Sequence, residues 1–386
     1  MVTAANGRTS TRRRLLIAGT AAAGILVSGC GSDTPDAGPA TSTSPTASSP
    51  ASAPAAPTAT PAQDPTTLNI DSTIAEDLNV PWGVAFLADG TALVSERDSM
   101  RIVQVGDGSV RSIGEVPGVV PASGAGEGGL LGIAVTPDED AVLAMITTAD
   151  DNRIVRMSFD GSSLGEPEVL VDGIARATHH NGGRLAVGPD GLLYASTGDA
   201  GQPELAQDTD SLSGKILRMT LDGDPAEDNP FDNRVWSYGH RNVEGLAFDA
   251  DGRLWASEFG SSTYDELNLI EAGANYGWPQ TEGPTDEDGL TGPKAWWSTD
   301  EASPAGLGIS GSTAYMAALQ GECVWAIPLD GTEVGEPVRA LADEGLGRIR
   351  NAVPAPDGSL WVTTSNTDGR ANPGSGDDRI LRVTIG

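Results

Sequence analysis

The chain is 386 residues long and strongly acidic, with 54 Asp and Glu against 23 Lys and Arg, for a net charge of −31. Phosphate contacts require a basic surface, so this balance argues against a nucleic-acid partner and is compatible with cation binding. The 50 Gly and 26 Pro, without a convincing amphipathic helix, favour many short strands joined by turns.

The first 29 residues resemble the signal peptide of a lipoprotein. Three arginines at residues 12–14 precede an apolar run, residues 15–27, that is too short to cross a bilayer and has the form of a secretory signal. The following residues 27–30, V-S-G-C, resemble a lipobox, which implies a lipid on Cys30. We expect an exported protein anchored by this lipid on the outer face of the cell membrane. An uncleaved anchor helix remains open, as does the choice between general secretory and twin-arginine export.

Residues 30–65 are predicted to form a disordered linker. Ser, Thr, Pro and Ala dominate this segment, and it has almost no bulky apolar side chains. Such a composition cannot bury enough apolar surface to order the chain. The segment would separate a folded domain from the membrane.

Residues 66–386 are predicted to form one all-β domain, a six-bladed β-propeller. A phrase in which Asp-Gly separates two apolar runs recurs at residues 86–95, 187–196, 248–257 and 355–364, with a weaker copy at 135–147. Asp-Gly forms a tight turn between two strands because glycine adopts positive φ. Unequal spacing suits blades with variable loops, and about 45 to 55 residues per blade predicts about six blades, although seven are not excluded. Residues 68–74 and 379–385 would pair to close the ring.

Residues 178–201 carry the clearest functional signal. His179 and His180 lie in a polar stretch, an alternating apolar run typical of a strand follows, and Asp199 lies in the acidic stretch behind it. The hairpin would bring both polar ends to one rim of a sheet. Histidine can accept a proton near neutral pH, and a carboxylate can fix its tautomer. A chance His-His pair in a surface loop is the alternative.

Six motifs between residues 82 and 370 resemble those of the soluble glucose/aldose (glucose/sorbosone) sugar dehydrogenases that depend on pyrroloquinoline quinone (PQQ). They include G-E-G-G-L-L, H-N-G-G-R-L, T-G-D-A-G, G-H-R-N and R-x-R, in the order of that family. The resemblance implies a six-bladed propeller with His180 as the catalytic base and Asp199 as the residue that orients it. The amino terminus would make this chain a lipoprotein member of the family.

The resemblance also implies a cofactor site. The positions that match PQQ contacts are Glu127, Arg241, Asn242, Gln320, Arg348 and Arg350. Guanidinium groups suit the three carboxylates of PQQ, and strand alternation would place Arg348 and Arg350 on one face. For Arg241, a purely structural role that fixes a loop through carbonyl groups remains open.

Calcium is the second cofactor that the resemblance implies. The backbone carbonyls of Gly260 and Ser261 would hold one ion beside PQQ, and Glu266 and Tyr276 would hold a second, structural ion. Oxygen ligands, some of them from the main chain, are what this hard cation prefers. Alternatively, Asp265 and Glu266 cap or solvate a loop.

Three departures from the family pattern weaken the expected cofactor site. Glu127 replaces a Gln and adds negative charge, Gln320 replaces a Lys or Arg, and residues 280–288 lack the usual Tyr. At low local dielectric these changes could cost several kcal/mol of cofactor affinity. Of the two cysteines, Cys30 is assigned to the lipobox, so Cys323 is predicted to be buried and free of a disulfide.

The sequence therefore predicts an exported, lipid-anchored, PQQ- and calcium-dependent aldose dehydrogenase that oxidises the anomeric C1 hydroxyl to a lactone by hydride transfer to PQQ. An aldose and the membrane are the expected partners, while the sugar, the electron acceptor and a monomeric or homodimeric state stay open. Two other functions compete with this one. The first is a non-catalytic propeller lipoprotein that binds an envelope glycan or protein, and the second is a lactonase-like hydrolase with a central calcium.

Overall fold

A computed structural model describes residues 66–106, 108–122 and 126–386. The predicted signal peptide, the Cys30 lipidation site and the linker lie outside the described residues. Within them, no helix is long and apolar enough to cross a membrane. The described residues belong to one folded unit, Pro61–Gly386.

The first half of the described chain forms the strands of three sheets and one further strand, β1. These strands are β1 (Leu68–Ala75), β2 (Pro81–Phe86), β3 (Ala92–Glu96), β4 (Arg101–Gly106), β5 (Ser109–Glu115), β6 (Leu130–Val135), β7 (Ala141–Thr147), β8 (Asn152–Ser158), β9 (Glu168–Ile174), β10 (Leu185–Val187), β11 (Leu193–Ser196), β12 (Lys215–Met219) and β13 (Val235–Tyr238). A short 3₁₀ helix, Pro203–Ala206, lies between β11 and β12.

The second half forms three more sheets. Their strands are β14 (Val243–Phe248), β15 (Leu254–Glu258), β16 (Tyr264–Ile270), β17 (Ala295–Ser298), β18 (Pro304–Ser310), β19 (Thr313–Ala318), β20 (Cys323–Asp330), β21 (Glu333–Val334), β22 (Val338–Ala340), β23 (Ile349–Pro354), β24 (Leu360–Thr364) and β25 (Ile380–Ile385). Neighbouring strands within each sheet pair antiparallel.

The six sheets in the described residues are the blades of a propeller, which confirms the predicted fold. Five blades contain consecutive strands, beginning with β2, β6, β10, β14 and β18. The sixth has the order β1-β25-β24-β23, so the first strand completes the last blade. Leu68 lies opposite Ile385 in this pairing, as the sequence predicted. The first strands of neighbouring blades contact one another around a ring.

The recurring Asp-Gly phrases form the turn between the first and second strands of a blade. Gly191, between β10 and β11, has a φ of 78°, the conformation that glycine adopts without steric cost. In the weaker copy, residues 135–147, Glu139 takes the place of this glycine and has a φ of 57°. The fifth blade has Ser310-Gly311 at this place instead of Asp-Gly, so the repeated phrase does not mark that blade.

Six hydrophobic clusters lie between neighbouring blades and hold the ring together. One joins the fifth and sixth blades through Tyr315, Val324, Ile349 and Val362, all fully buried. Cys323 is also buried and unpaired, as predicted, and burial raises the pKa of its thiol. Because apolar side chains line both faces of the inner strands, the polar residues collect where those strands begin or end.

Antiparallel pairing explains where the predicted site residues lie. The start of the first strand and the end of the second strand of a blade lie at the same edge of the sheet. His180 precedes β10 and Asp199 follows β11, while Arg241 precedes β14 and Gly260 follows β15. The residues therefore lie on one face of the ring, which we call the mouth, opposite the Asp-Gly turns.

Candidate active site

His180 and Asp199 form a hydrogen-bonded pair at the mouth. The distance from His180 Nδ1 to Asp199 Oδ1 is 2.7 Å, and Nδ1 must carry the proton because a carboxylate only accepts. The histidine side chain is 15% exposed and the aspartate 1%, so the imidazole faces the mouth and the carboxylate lies behind it. Among the described residues, none forms a hydrogen bond with His180 Nε2. This nitrogen can accept a proton from a substrate.

Close backbone packing brings the two residues together. The Ala200 amide donates to the His180 carbonyl at 3.1 Å, and a Cβ on Gly198 would lie 2.0 Å from that carbonyl oxygen. Glycine at position 198 is therefore a steric requirement of the T-G-D sequence. His180 itself has a φ of 57°, which aims its ring toward Asp199.

Asp199 is held by more than the histidine. The Gly201 amide donates to Oδ1 at 2.8 Å, and the indole Nε1 of Trp278 donates to Oδ2 at 2.8 Å. Burial alone would raise the pKa of Asp199, but the hydrogen bonds from His180, Gly201 and Trp278 outweigh it and lower the pKa. The carboxylate therefore stays ionised behind the imidazole.

Replacing Asp199 by Asn is expected to change how stability depends on acid pH. The folded-state pKa lies below the ordinary 3.8, so the ionised group stabilises the fold above that value and the contribution disappears as pH falls through the lowered pKa. The difference in unfolding free energy between wild type and Asp199→Asn should be constant between about pH 6 and 5 and then shrink. Urea titrations over this series measure it. A difference that stays constant into stronger acid would contradict a charge-based role.

A chain of hydrogen bonds joins the loop that contains His180 to the last blade. The His180 amide donates to Glu127 Oε2 at 2.7 Å, and Arg370 donates to the other oxygen of Glu127 at 2.8 Å. Asp368 accepts from the Arg370 amide and from Arg348 Nε, both at 2.9 Å. Burial raises the pKa of Glu127, but Arg370 and the His180 amide lower it by more than burial raises it. The net effect is a lowered pKa. The negative charge of Glu127, expected from the sequence to lie near the cofactor site, is therefore paired with Arg370. None of the family motifs had assigned a role to Arg370.

Arg241 lies beside this pair on the same face. Its NH1 donates to the Gly260 carbonyl at 2.6 Å and to the Phe259 carbonyl at 3.3 Å, and its guanidinium lies 5.4 Å from the Trp278 ring centroid. The loop-fixing role left open for Arg241 is thus present. Its Nε is buried without a hydrogen-bond partner among the described residues, so a ligand at the mouth could accept from it.

Arg350 and Asn242 are buried near the starts of β23 and β14. Arg350 NH1 donates to Glu244 Oε2, and the amide nitrogen of Asn242 donates to Glu244 Oε1 at 3.2 Å. Arg184 lies over the Trp82 ring at 4.3 Å, and burial and then repulsion from Arg350 lower its pKa to about 9. Arg348 binds Asp368 and Arg350 binds Glu244, so the two guanidiniums contact different carboxylates. The pairing of β23 with β24 shifts its register after Ile349. Asn242 is committed to protein contacts, since its Oδ1 accepts from the Gly182 amide at 2.9 Å.

The residues that the sequence assigned to calcium lie in two surroundings, the loop that contains Gly260 and Ser261 and the buried position of Glu266. Glu282 Oε1 accepts from the four amides of residues 261–264 at 2.8 to 3.1 Å, which fixes the loop that contains Gly260 and Ser261. Glu266 accepts from the Gly283 amide at 2.6 Å and from Asn268 at 3.0 Å, and burial followed by repulsion from Glu258 raises its pKa to about 7.

The side chains of Tyr276 and Asp265 are already used within the protein. The Tyr276 hydroxyl donates to the Leu269 carbonyl at 2.6 Å, so its phenol is engaged. Asp265 accepts from the Gly260 and Ser303 amides, the loop-capping alternative. Across the described ranges, no group of three or more His, Cys, Asp and Glu side chains is arranged to hold a metal. Calcium at this site would therefore depend on main-chain carbonyls.

Gln320 lines a polar cleft at the mouth together with Arg348, Arg370 and Arg379. Sequence reasoning missed the roles of Arg370, Trp278 and Glu244 in this arrangement. Trp278 lies two residues after Tyr276, but its partner Asp199 is 79 residues away. Arg370 lies 243 residues from Glu127, so no local spacing could have indicated that pair.

A comparison with known proteins agrees with this arrangement. The profile described as Glucose / Sorbosone dehydrogenase matches residues 78–380. The chain belongs to the glucose/sorbosone dehydrogenase family. The predictions of this family and of an oxidoreductase acting on CH–OH groups are therefore confirmed.

Relatives of this protein are similar to it over between half and nearly all of their own length. The PQQ-bound form of aldose sugar dehydrogenase from Streptomyces coelicolor is 51% identical, with a TM-score of 0.80 over 82% of this chain and 98% of the other. Aldose sugar dehydrogenase from Escherichia coli is 30% identical over 79% of this chain and 92% of its own. Quinoprotein glucose dehydrogenase B from Acinetobacter calcoaceticus is 33% identical over 56% and 53%, respectively.

Proposed function

We propose that this protein is a PQQ-dependent aldose dehydrogenase that oxidises the anomeric C1 hydroxyl of an aldose to a lactone. The observation that carries the proposal is the His180–Asp199 pair, whose hydrogen-bonded atoms are 2.7 Å apart. The pair lies at the mouth, the face of the ring that also contains Arg241, Arg348 and Arg370. The PQQ-bound Streptomyces relative and the Escherichia coli aldose sugar dehydrogenase support this cofactor and substrate class.

The chain's own residues fit a carboxylate-rich cofactor. Arg241 Nε, Arg350 Nε and Arg184 NH2 are buried donors without partners among the described residues. An anionic ligand reaching the mouth would provide acceptors for such donors, and charge-assisted hydrogen bonds to carboxylates are strong. The pairing of Glu127 with Arg370 removes the main electrostatic objection to a trianion at this place.

The residues at the mouth can carry out the proton transfer of the reaction. His180 Nε2 would take the proton of the anomeric hydroxyl, and Asp199 would stabilise the imidazolium through Nδ1–H. Trp278 and Gly201 hold the carboxylate so that the imidazole keeps one orientation. PQQ, when bound, supplies the acceptor for the hydride from C1. Arg241 is placed to stabilise negative charge that develops beside His180.

The proposal includes calcium and export. The loop that Glu282 fixes presents the Gly260 and Ser261 carbonyls as oxygen ligands of the kind calcium prefers, and a carbonyl oxygen has two lone pairs, so Gly260 can accept from Arg241 and also bind an ion. Export and lipid anchoring through Cys30 rest on the residues of the signal and lipobox alone.

Calorimetric titration of the purified protein with PQQ, followed by dye reduction with a panel of aldoses, tests the function. We expect binding in the micromolar range or tighter in the presence of Ca²⁺, sugar-dependent dye reduction, and loss of this activity after chelation. Neither heat of binding nor dye reduction with any aldose would reject the dehydrogenase and favour the glycan- or protein-binding alternative. Lactone hydrolysis without PQQ would favour the hydrolase.

A further inference from the structure

Lys215 is a fully buried cation that has no carboxylate partner among the residues that the structure describes. It begins β12 and has 0% exposure. Its Nζ donates to three main-chain carbonyls, those of Leu205 and Ser213 at 2.7 Å and that of Ala206 at 3.0 Å. An ammonium group has three hydrogens, so every donor is used on backbone oxygen.

All three carbonyls belong to the segment between β11 and β12 that carries Asp199 near its start. The main chain of Lys215 holds this segment as well. Its amide donates to Thr197 Oγ1 at 3.0 Å, and its carbonyl accepts from the Thr197 amide at 2.9 Å. Lys215 therefore contacts the residue two positions before Asp199, the middle of the segment, and its end at Ser213.

The same lysine connects this segment to the turn that contains Arg241. The Ala206 carbonyl accepts from the Gly239 amide at 2.9 Å in addition to Nζ, and the Asp199 amide donates to the Arg241 carbonyl at 2.8 Å. Movement of the 3₁₀ helix Pro203–Ala206 would thus be transmitted to both sides of the mouth.

Burying this cation is unfavourable, which argues for a specific role. Burial lowers the pKa of Lys215 to about 7, and only Asp208 opposes the shift, at longer range. An apolar side chain of similar length would avoid the desolvation penalty, but it would leave three carbonyls, two of them in buried contacts, with one hydrogen-bond donor fewer each. The ammonium group is the feature that satisfies all three at once.

We propose that Lys215 is a positioning residue for the His180–Asp199 pair, holding the segment of residues 197–213 so that the Asp199 carboxylate faces the imidazole. The kinetic part of this inference rests on the proposed function, whereas the geometric part does not.

Lys215→Met tests the inference, because it keeps the length of the side chain and removes its donors. With ¹⁵N-labelled histidine, the three histidines of the chain give few signals. We expect the His180 Nδ1–H signal to weaken and exchange faster with solvent. With sugar and PQQ, we expect kcat to fall on the order of 10²-fold, as for a small misplacement of a catalytic group, with KM nearly unchanged.

Leu217→Ala is the matched control, since Leu217 lies on the same strand, is fully buried in the core between blades, and pairs with Ala195 and Val235 instead of with the segment. It should lower stability while leaving the His180 signal and kcat near wild type. Should Lys215→Met fail to fold, Lys215→Gln keeps two donor hydrogens and should give an intermediate effect.

An unchanged His180 signal in folded Lys215→Met, or equal losses in Leu217→Ala, would overturn the inference. A wild type without sugar oxidation, combined with loss of the His180 signal in Lys215→Met, would reject the proposed function and support the positioning role.

Discussion

His180→Ala is expected to lower kcat for aldose oxidation by about 10²- to 10⁴-fold, the usual contribution of a positioned general base. His180 Nε2 faces the mouth without a hydrogen-bond partner among the described residues, and Asp199 fixes the opposite nitrogen. Alanine removes both the proton acceptor and the group that Asp199 orients. Steady-state dye reduction with saturating PQQ and sugar measures the change.

His179→Ala provides the matched control for this prediction. The two imidazoles are neighbours, with ring centroids 4.4 Å apart, but His179 is exposed and has no carboxylate partner in the described part of the chain. We expect the His179 variant to keep most of the activity and the His180 variant to keep its affinity for PQQ. A His180→Ala kcat within about tenfold of wild type would exclude His180 as the base.

Arg350→Met is expected to lower the free energy of unfolding by about 3 to 5 kcal/mol, because it leaves the buried carboxylate of Glu244 without its partner. Burial already raises the pKa of Glu244, and the loss of Arg350 removes the attraction that opposes this shift. In the variant, Glu244 would have a folded-state pKa above its unfolded value, so the variant should lose further stability as pH rises. Guanidinium unfolding at several pH values measures both effects.

Two controls separate burial of charge from loss of side-chain packing. Arg350→Met combined with Glu244→Gln removes the unpaired charge and should recover part of the loss. Arg382→Met breaks the half-exposed pair with Asp357, side chains 41% and 42% exposed, and should cost no more than about 1 kcal/mol. If Arg350→Met costs as little as Arg382→Met, the Arg350–Glu244 pair does not stabilise the ring.

Much of the fold could be predicted because its signals are local. Asp-Gly turns such as Asp190-Gly191 fall between two short apolar runs, and a turn of this kind is decided by the φ that its own residues allow. The fifth blade lacks that pair and was not detected. The His180–Asp199 pair could also be anticipated, because one hairpin joins the two residues and antiparallel pairing places its open ends together.

The remaining site residues depend on contacts between blades. Glu127 and Arg370 are 243 residues apart in the sequence but form an ion pair. Arg350 and Glu244 are 106 residues apart and also form an ion pair. From the sequence alone, Glu127 was therefore expected to add an unpaired negative charge beside the cofactor site. In the folded ring it is paired and holds the His180 amide in place.

The sequence by itself determined the strand-and-turn repeat, the family, and the histidine and aspartate at its centre, because each of these depends on residues close together in the chain. The tertiary structure alone decided which charges at the mouth are neutralised, which donors lack partners and which cation holds the Asp199 segment. The physical reason is that closing a ring of blades brings side chains from distant strands to one axis. There, the strength of each electrostatic contact depends on burial and on partners that no local pattern contains.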